Sequence, residues 1–181
     1  LCSEGGKIIM KSFTPPLVLS VVCIAVSGLL AFANQLTAPR IAKAQEEKLS
    51  KSLVEVFGEA DYKTLDKSFE NVNQVITDEN NRAVFDITVD GYSKDGIEAL
   101  IGIDSEGKVC GIGIVSLKET TGIGTRIQAN DYIEKFIGLD NDDFPDDTII
   151  SGATYSSKGM RNAVSIAVST YSQNKEVIFS E

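Results

Sequence analysis

Two short segments of the chain carry residue types that could bind an anionic cofactor. The first, Lys118–Thr125, places glycines among hydroxyl side chains at the end of a strand-like run. The second, Ser151–Ser157, comes immediately before a helical pattern. Small residues let the backbone approach a ligand closely, and the first turn of a helix presents unpaired N–H groups with partial positive charge. A phosphate group would be stabilised at such a place.

Each segment also has a purely structural interpretation. Ser and Thr ahead of a helix commonly cap it, and the spacing of Gly122 and Gly124 is also typical of an ordinary turn. Neither segment alone decides between ligand binding and local structure.

Composition excludes several other kinds of chemistry. The chain of 181 residues contains no histidine and three cysteines. A Ser-His-Asp, Cys-His or zinc-hydrolase site is therefore excluded, and the cysteines are too few and too widely spaced to hold an iron–sulfur cluster alone. Redox chemistry in this protein would need an organic cofactor.

The charge of the chain argues against nucleic acid as a partner. The 26 acidic and 17 basic side chains give a formal net charge of −9, whereas phosphate neutralisation needs a basic surface. The acidic run Asp140–Asp147 lacks the ligand spacing and central glycine of an EF-hand loop, so we expect a solvated loop and no metal site there.

Hydropathy divides the chain into four parts. Residues 1–15 form an N-terminal tail, 16–37 a transmembrane helix, 38–58 an amphipathic stalk helix, and 59–181 a single domain. About 20 uncharged residues span roughly 30 Å as a helix, which matches the hydrocarbon core of a bilayer. Pro39 is expected to mark the boundary between the membrane helix and the stalk helix.

The apolar run also admits other interpretations. Ala31-Phe32-Ala33 resembles the cleavage site of a signal peptide, and Cys23 is a weaker candidate for a lipoprotein anchor. Lysines precede the run and basic residues follow it, so the charges leave its orientation open.

The remaining domain is predicted to be α+β, with one antiparallel sheet and flanking helices. Within its last strand, Gly111-Ile112-Gly113 indicates a bulge or a close backbone approach, and Cys110 is expected to pack as a small buried group. The predicted strands are Ala83–Val89, Ile97–Ile103 and Val109–Leu117, and the predicted helices are Ile127–Ile137 and Ser156–Tyr171.

Taken together, the two segments resemble a known family. The sequence SGATYSS at Ser151–Ser157 resembles the S/T-G-A-T motif of the FMN-binding domain shared by the G subunit of the Rnf complex and the C subunit of the Na⁺-translocating NADH:quinone oxidoreductase. The sequence KETTGIG resembles the E-T-P-G-x-G segment that lies against the flavin in that family, with Thr121 where proline is usual. The likeness extends from about Leu17 to Tyr171, and the compact chain is more similar to the G subunit.

The resemblance implies a site. In that family the threonine hydroxyl forms a phosphoester with FMN, a role that falls to Thr154, and an acidic residue such as Asp146 or Asp147 precedes the motif. The other cofactor-binding residues implied are Ser151, Gly152, Ala153, Tyr155, Ser156, Lys118, Glu119, Thr120, Thr121, Gly122 and Gly124.

The resemblance also implies a function. The protein would be an electron relay in a membrane complex that couples electron transfer from ferredoxin to NAD⁺ to the movement of Na⁺ or H⁺, with the FMN domain on the extracytoplasmic face of the inner membrane. No catalytic side chain is needed, a separate flavin transferase would attach the FMN, and the partners would be the other subunits of the complex. The alternatives are the C-type subunit of the quinone reductase, a flavin-domain protein serving another extracytoplasmic reductase, and a membrane-tethered binding domain without flavin.

Overall fold

The computed structural model describes residues 5–141 and 143–180, with side chains from residue 16 onward except at residue 42. A long helix comes first, followed by five strands, short helical turns and a C-terminal helix. The elements are α1 (Gly5–Phe57), β1 (Lys63–Leu65), β2 (Gln74–Thr77), β3 (Ala83–Val89), β4 (Ile97–Ile103), β5 (Val109–Leu117), α2 (Asn130–Ile133) and α3 (Thr154–Phe179), with 3-10 turns at Gly124–Gln128, Glu134–Phe136 and Asp146–Thr148.

The chain divides into two compact units, one ending at Glu47 and one beginning at Lys48. The described residues of the first unit are entirely helical. Among the described residues, one helix is long and apolar enough to cross a membrane, namely the part of α1 from Pro16 to Phe57. Its most apolar stretch has a mean hydropathy of 2.4 and is not buried at all.

Two expectations for this region differ from the structure. Residues from Gly5 onward are helical rather than an irregular tail, and α1 continues through Pro39 without a second helix beginning there. An internal proline removes one helical hydrogen bond, but the strong helix formers on either side of Pro39 favour continuation. Residues 1–4 of the expected tail lie outside the described part.

The second unit is built on an antiparallel meander with strand order β1-β2-β3-β4-β5. The α+β prediction is confirmed, and the bounds predicted for β3, β4 and β5 are the observed ones. The sequence did not reveal β1 and β2, because three and four residues are too few for alternation to stand out.

The two faces of the sheet bury two apolar clusters. One cluster joins the sheet to α3, with fully buried side chains such as Phe85, Ile101 and Met160. The other lies under the last turns of α1, where Leu53 and Phe57 pack on Leu100. Because both faces are covered, the middle strands are almost wholly buried rather than alternating between core and solvent.

The end of α1 lies against glycines of the sheet. A Cβ atom on Gly111 would lie 2.8 Å from Phe57 Cε1, and one on Gly113 would lie 3.0 Å from Val56 Cγ2. The close approach predicted at these glycines is confirmed, and a register shift of β5 against β4 lies beside them. The prediction that Cys110 is buried is wrong: the shifted register leaves it without a cross-strand partner on an edge strand, and its side chain is exposed.

The predicted helix at Ile127–Ile137 is correct in place but not in form. The structure has a 3-10 turn, the four-residue helix α2 and a second 3-10 turn there. The C-terminal helix extends beyond its predicted range at both ends, from Thr154 to Phe179. In the acidic loop, Asp147 pairs with Lys135 at 2.8 Å, and residue 142 lies outside the described part.

Gly102 provides a test of the packing between α1 and the sheet. We expect Gly102→Ala to destabilise the protein by about 1–3 kcal/mol, because the new Cβ would overlap Phe57 Cε1. Chemical denaturation of the full chain in detergent measures the effect. Gly113→Ala is the matched control and should cost less, since its Cβ would meet a single methyl group at 3.0 Å. Equal effects of the two substitutions would contradict this packing.

Asp86 provides a test by pH. Burial, with the charge of Glu98 adding to it, raises the pKa of Asp86 to about 6, although Asn73 and Gln74 donate hydrogen bonds to its carboxylate. The folded state therefore holds this proton more tightly than the unfolded state, so stability falls as pH rises from about 4 to above 6.

We expect Asp86→Asn to match the native protein near pH 4 and to exceed it by about 1–3 kcal/mol at pH 8. Denaturation across this pH range measures the difference, with exposed Asp61→Asn as the control. A difference that shrinks as pH rises would contradict the burial of this charge.

Candidate functional site

The Ser151–Ser157 segment forms the start of α3. Thr154 is the first residue of the helix, and Gly152 before it has a φ of +84°, a left-handed conformation that glycine adopts without strain. Ala153 occupies the N-cap position and makes no side-chain cap. The turn therefore leads the chain into a helix whose first residue carries the hydroxyl group of interest.

The hydroxyl groups of this segment have different roles. Ser157 Oγ donates to the carbonyl of Ala153 at 2.9 Å and accepts from the amide of Ile150 at 3.1 Å, so it stabilises the local turn. Thr154 is exposed, and its hydroxyl makes no hydrogen bond within the described residues. None of these hydroxyl groups therefore caps the helix, so the capping interpretation is wrong, and the hydroxyl group of Thr154 is available for chemistry.

Backbone amides at the same helix start are also free. The N–H groups of Thr154, Tyr155 and Ser156 donate to no group in the part of the chain that the structure describes. Together with the helix dipole they favour an anion at this position. A phosphate attached to Thr154 would meet these donors.

Glu119 joins the two sequence segments. Its side chain is buried and accepts hydrogen bonds from the amides of Tyr92 and Ser93, both at 3.1 Å, and from Ser156 Oγ at 2.5 Å. Three stretches of chain therefore meet at one carboxylate: the turn after β3, the loop after β5 and the first turn of α3. Hydrogen bonds to a carboxylate are roughly twice as strong as those between neutral groups, so this junction is well fixed.

Glycines surround the Glu119 side chain. A Cβ on Gly91 or Gly96 would lie 2.6 Å from Glu119 Oε1, and one on Gly124 would lie 2.7 Å from Glu119 Cβ and 2.8 Å from Ser156 Oγ. No larger residue fits at these positions without displacing the carboxylate. Gly124 of the first sequence segment and the two glycines of the turn after β3 thus create space for Glu119. Gly122, at φ +79°, allows the chain to turn within the first segment.

A cleft of about 280 Å³ opens beside this junction. It brings together most of the predicted site residues, but Lys118, Thr121, Gly122, Ser151 and the Thr154 side chain lie outside its lining. The cleft is lined by Tyr92, Glu119, Thr120, Ile123, Gly124, Gly152, Ala153, Tyr155 and Ser156. A larger cavity of about 530 Å³ lies at the β1 edge of the sheet and contains none of the motif residues.

Sequence reasoning missed three residues of the site. Tyr92 and Ile123 line the cleft, and Arg126 Nη1 donates to the carbonyl of Ser151 at 3.4 Å, which links the two segments from outside. Tyr92 could have been suspected from the turn Asp90–Gly96, where an aromatic residue stands between glycines and polar residues.

Comparisons with known proteins find two matching family models and several similar relatives. Residues 91–169 match the model of the FMN-binding domain, and residues 16–56 match that of the RnfG N-terminal region. The G subunit of an ion-translocating oxidoreductase complex from Shewanella piezotolerans is 25% identical, over 91% of each chain. This chain belongs to the family of these G subunits.

Two further G subunits of ion-translocating oxidoreductase complexes are similar over shorter stretches. That of Cereibacter sphaeroides is 30% identical over 67% of this chain and 62% of its own length. That of Shewanella oneidensis is 31% identical over 52% of this chain and 50% of its own length. The matched FMN-binding domain begins at Gly91 and so includes the Tyr92 turn, the Glu119 loop and the start of α3.

The hydrogen bonds of Glu119 provide a test of the junction. We expect Glu119→Ala to destabilise the protein by about 2–5 kcal/mol, because two partly buried amides and a buried hydroxyl group lose their acceptor. In the variant, the amides of Tyr92 and Ser93 should exchange hydrogen faster than they do in the native protein, and the amides of the sheet should change less. Exposed Glu79→Ala is the control, and unchanged protection of the two amides in Glu119→Ala would contradict the arrangement.

Proposed function

We propose that this protein is an electron-relay subunit that carries FMN covalently through Thr154, in a membrane complex that couples ferredoxin:NAD⁺ electron transfer to Na⁺ or H⁺ translocation. The observation that carries the proposal is the exposed, unbonded hydroxyl of Thr154 at the first position of α3, beside a cleft in a matched FMN-binding domain. Membership of the G-subunit family supports the wider setting.

The exposed position of the hydroxyl group supports a direct attachment. Thr154 Oγ1 would form a bond to the phosphorus of the FMN half of FAD, while the pyrophosphate bond breaks, AMP leaves and the hydroxyl proton is lost to the medium. The residues near Thr154 include no histidine to act as a base, since the chain has none. A separate flavin transferase is therefore part of the proposal.

The residues at the helix start fit a bound phosphate. The free amides of Thr154, Tyr155 and Ser156 would donate to its oxygens, and Arg126 would contribute positive charge from the neighbouring loop. Flavin supplies one- and two-electron transfer, so the protein has to hold and orient the cofactor rather than provide a general acid or base.

The N-terminal helix gives the proposal its location. A helix able to cross a membrane supports a single-pass membrane protein. The cytoplasmic membrane, the extracytoplasmic face for the FMN domain and the neighbouring subunits are parts of the proposal that come from the resemblance to the family. A covalent bond would keep FMN at a high local concentration where free flavin is dilute. The match to the RnfG N-terminal region favours a G subunit over the C subunit of a quinone reductase.

Removal of the hydroxyl group tests the attachment. After co-expression with a flavin transferase, denatured native protein should fluoresce on a gel, and Thr154→Val should show no flavin fluorescence, because valine retains the shape but not the oxygen. Thr64→Val, at an exposed position of β1, is the matched control and should keep full fluorescence. Fluorescence that persists in Thr154→Val would contradict the assignment.

A further inference from the structure

We propose that Tyr92, Tyr155 and Ile123 form the walls of the site for the isoalloxazine ring, and that Glu119 is the positioning residue that holds Tyr92 there. The inference rests on the proposed binding of FMN. It concerns the ring, whereas the attachment at Thr154 concerns the phosphate.

The three side chains are exposed although each is largely apolar. Tyr92 is 73% exposed, Tyr155 67% and Ile123 49%, and all three line the same cleft. Among the described residues of the second unit, only Val54, Ile137 and Val177 are other large hydrophobic side chains with comparable exposure. Exposed apolar groups gathered at one cleft are typical of a ligand-binding surface.

The geometry of the two tyrosines suits a flat ligand. Their ring centroids are 6.2 Å apart and their planes meet at 70°, an edge-to-face arrangement. Such a pair leaves ring faces uncovered, and aromatic rings add about 0.5–1.5 kcal/mol when a further ring packs on them. A flavin ring is planar, aromatic and mostly apolar.

The charges around the cleft favour different places for the ring and for the phosphate. No lysine or arginine belongs to the described lining, and its one carboxylate, Glu119, is already engaged by three donors. An anion would find no cationic partner inside the cleft, whereas the free amides at Thr154 lie at its edge. The cleft therefore favours the uncharged ring, with the phosphate at the helix start.

Glu119 determines where the tyrosines stand. Its carboxylate accepts a hydrogen bond from the backbone amide of Tyr92. It accepts another from Ser156 Oγ, and Ser156 directly follows Tyr155 in the chain. Helix α3 also lies close to the turn that carries Tyr92, since a Cβ on Gly159 of α3 would lie 2.5 Å from the carbonyl oxygen of Asp90. Loss of the Glu119 acceptor would free the Tyr92 wall, while the hydroxyl group of Thr154 that forms the attachment would still be present.

Fluorescence of the tethered flavin tests this assignment. Full-length protein is matured with a flavin transferase, and intact mass establishes that one FMN is attached to each variant. Tyrosine in contact with an excited flavin quenches it by electron transfer, so Tyr92→Leu and Tyr155→Leu should raise the flavin fluorescence yield severalfold at unchanged mass. Glu119→Gln should also raise the yield, and Tyr62→Leu, at a tyrosine outside the cleft, should not.

Two results would overturn the inference. One is fully attached FMN whose yield is the same in the native protein, Tyr92→Leu and Tyr155→Leu. The other result would come from a second experiment, in which protein made without the transferase is titrated with riboflavin, which has the ring but no phosphate. We expect saturable quenching of riboflavin that Tyr92→Leu weakens about two- to tenfold, and equal binding by both proteins would also overturn the assignment. An unmodified mass in the first experiment would count against the Thr154 attachment alone, because the riboflavin arm tests the ring site without it.

Discussion

The site depends on one buried carboxylate. Glu119 accepts from two backbone amides and one hydroxyl group, and these donors come from segments 26 to 37 residues away along the chain. A buried carboxylate with three donors resists displacement, because its loss would leave two partly buried amides and a buried hydroxyl group without their acceptor. The glycines at 91, 96 and 124 follow from the same constraint, since a Cβ at any of them would occupy the space of the side chain or its partner.

The fold brings these segments together. The antiparallel meander places the turn after β3 and the loop after β5 at the same end of the strands, because β4 lies between β3 and β5 and runs in the opposite direction to both. The start of α3 lies at the same end of the strands, and Gly159 allows the helix to lie against Asp90. The exposed hydroxyl group of Thr154 is thus held beside a cleft by packing that involves neither Thr154 nor a ligand.

Much of this arrangement could be predicted from the sequence, and the misses have physical reasons. Alternation and turn residues located β3 to β5, and the helical pattern located α3 with Thr154 near its start. Tyr92 was not found because its partner is a side chain 27 residues later, a contact that no local pattern encodes. The helix boundary predicted at Pro39 was wrong because a proline weakens a helix without always ending it. The burial predicted for Cys110 was wrong because a bulge changes which side chains of an edge strand are covered.

The most direct measurement is tandem mass spectrometry of the protein matured with a flavin transferase. Trypsin should release residues 136–158 as one peptide, since no lysine or arginine lies between Lys135 and Lys158. We expect this peptide to carry one FMN phosphoester and fragmentation to place it on Thr154 rather than on Thr148, Ser151, Ser156 or Ser157. An unmodified peptide, or an FMN on a different hydroxyl group, would contradict the proposed attachment.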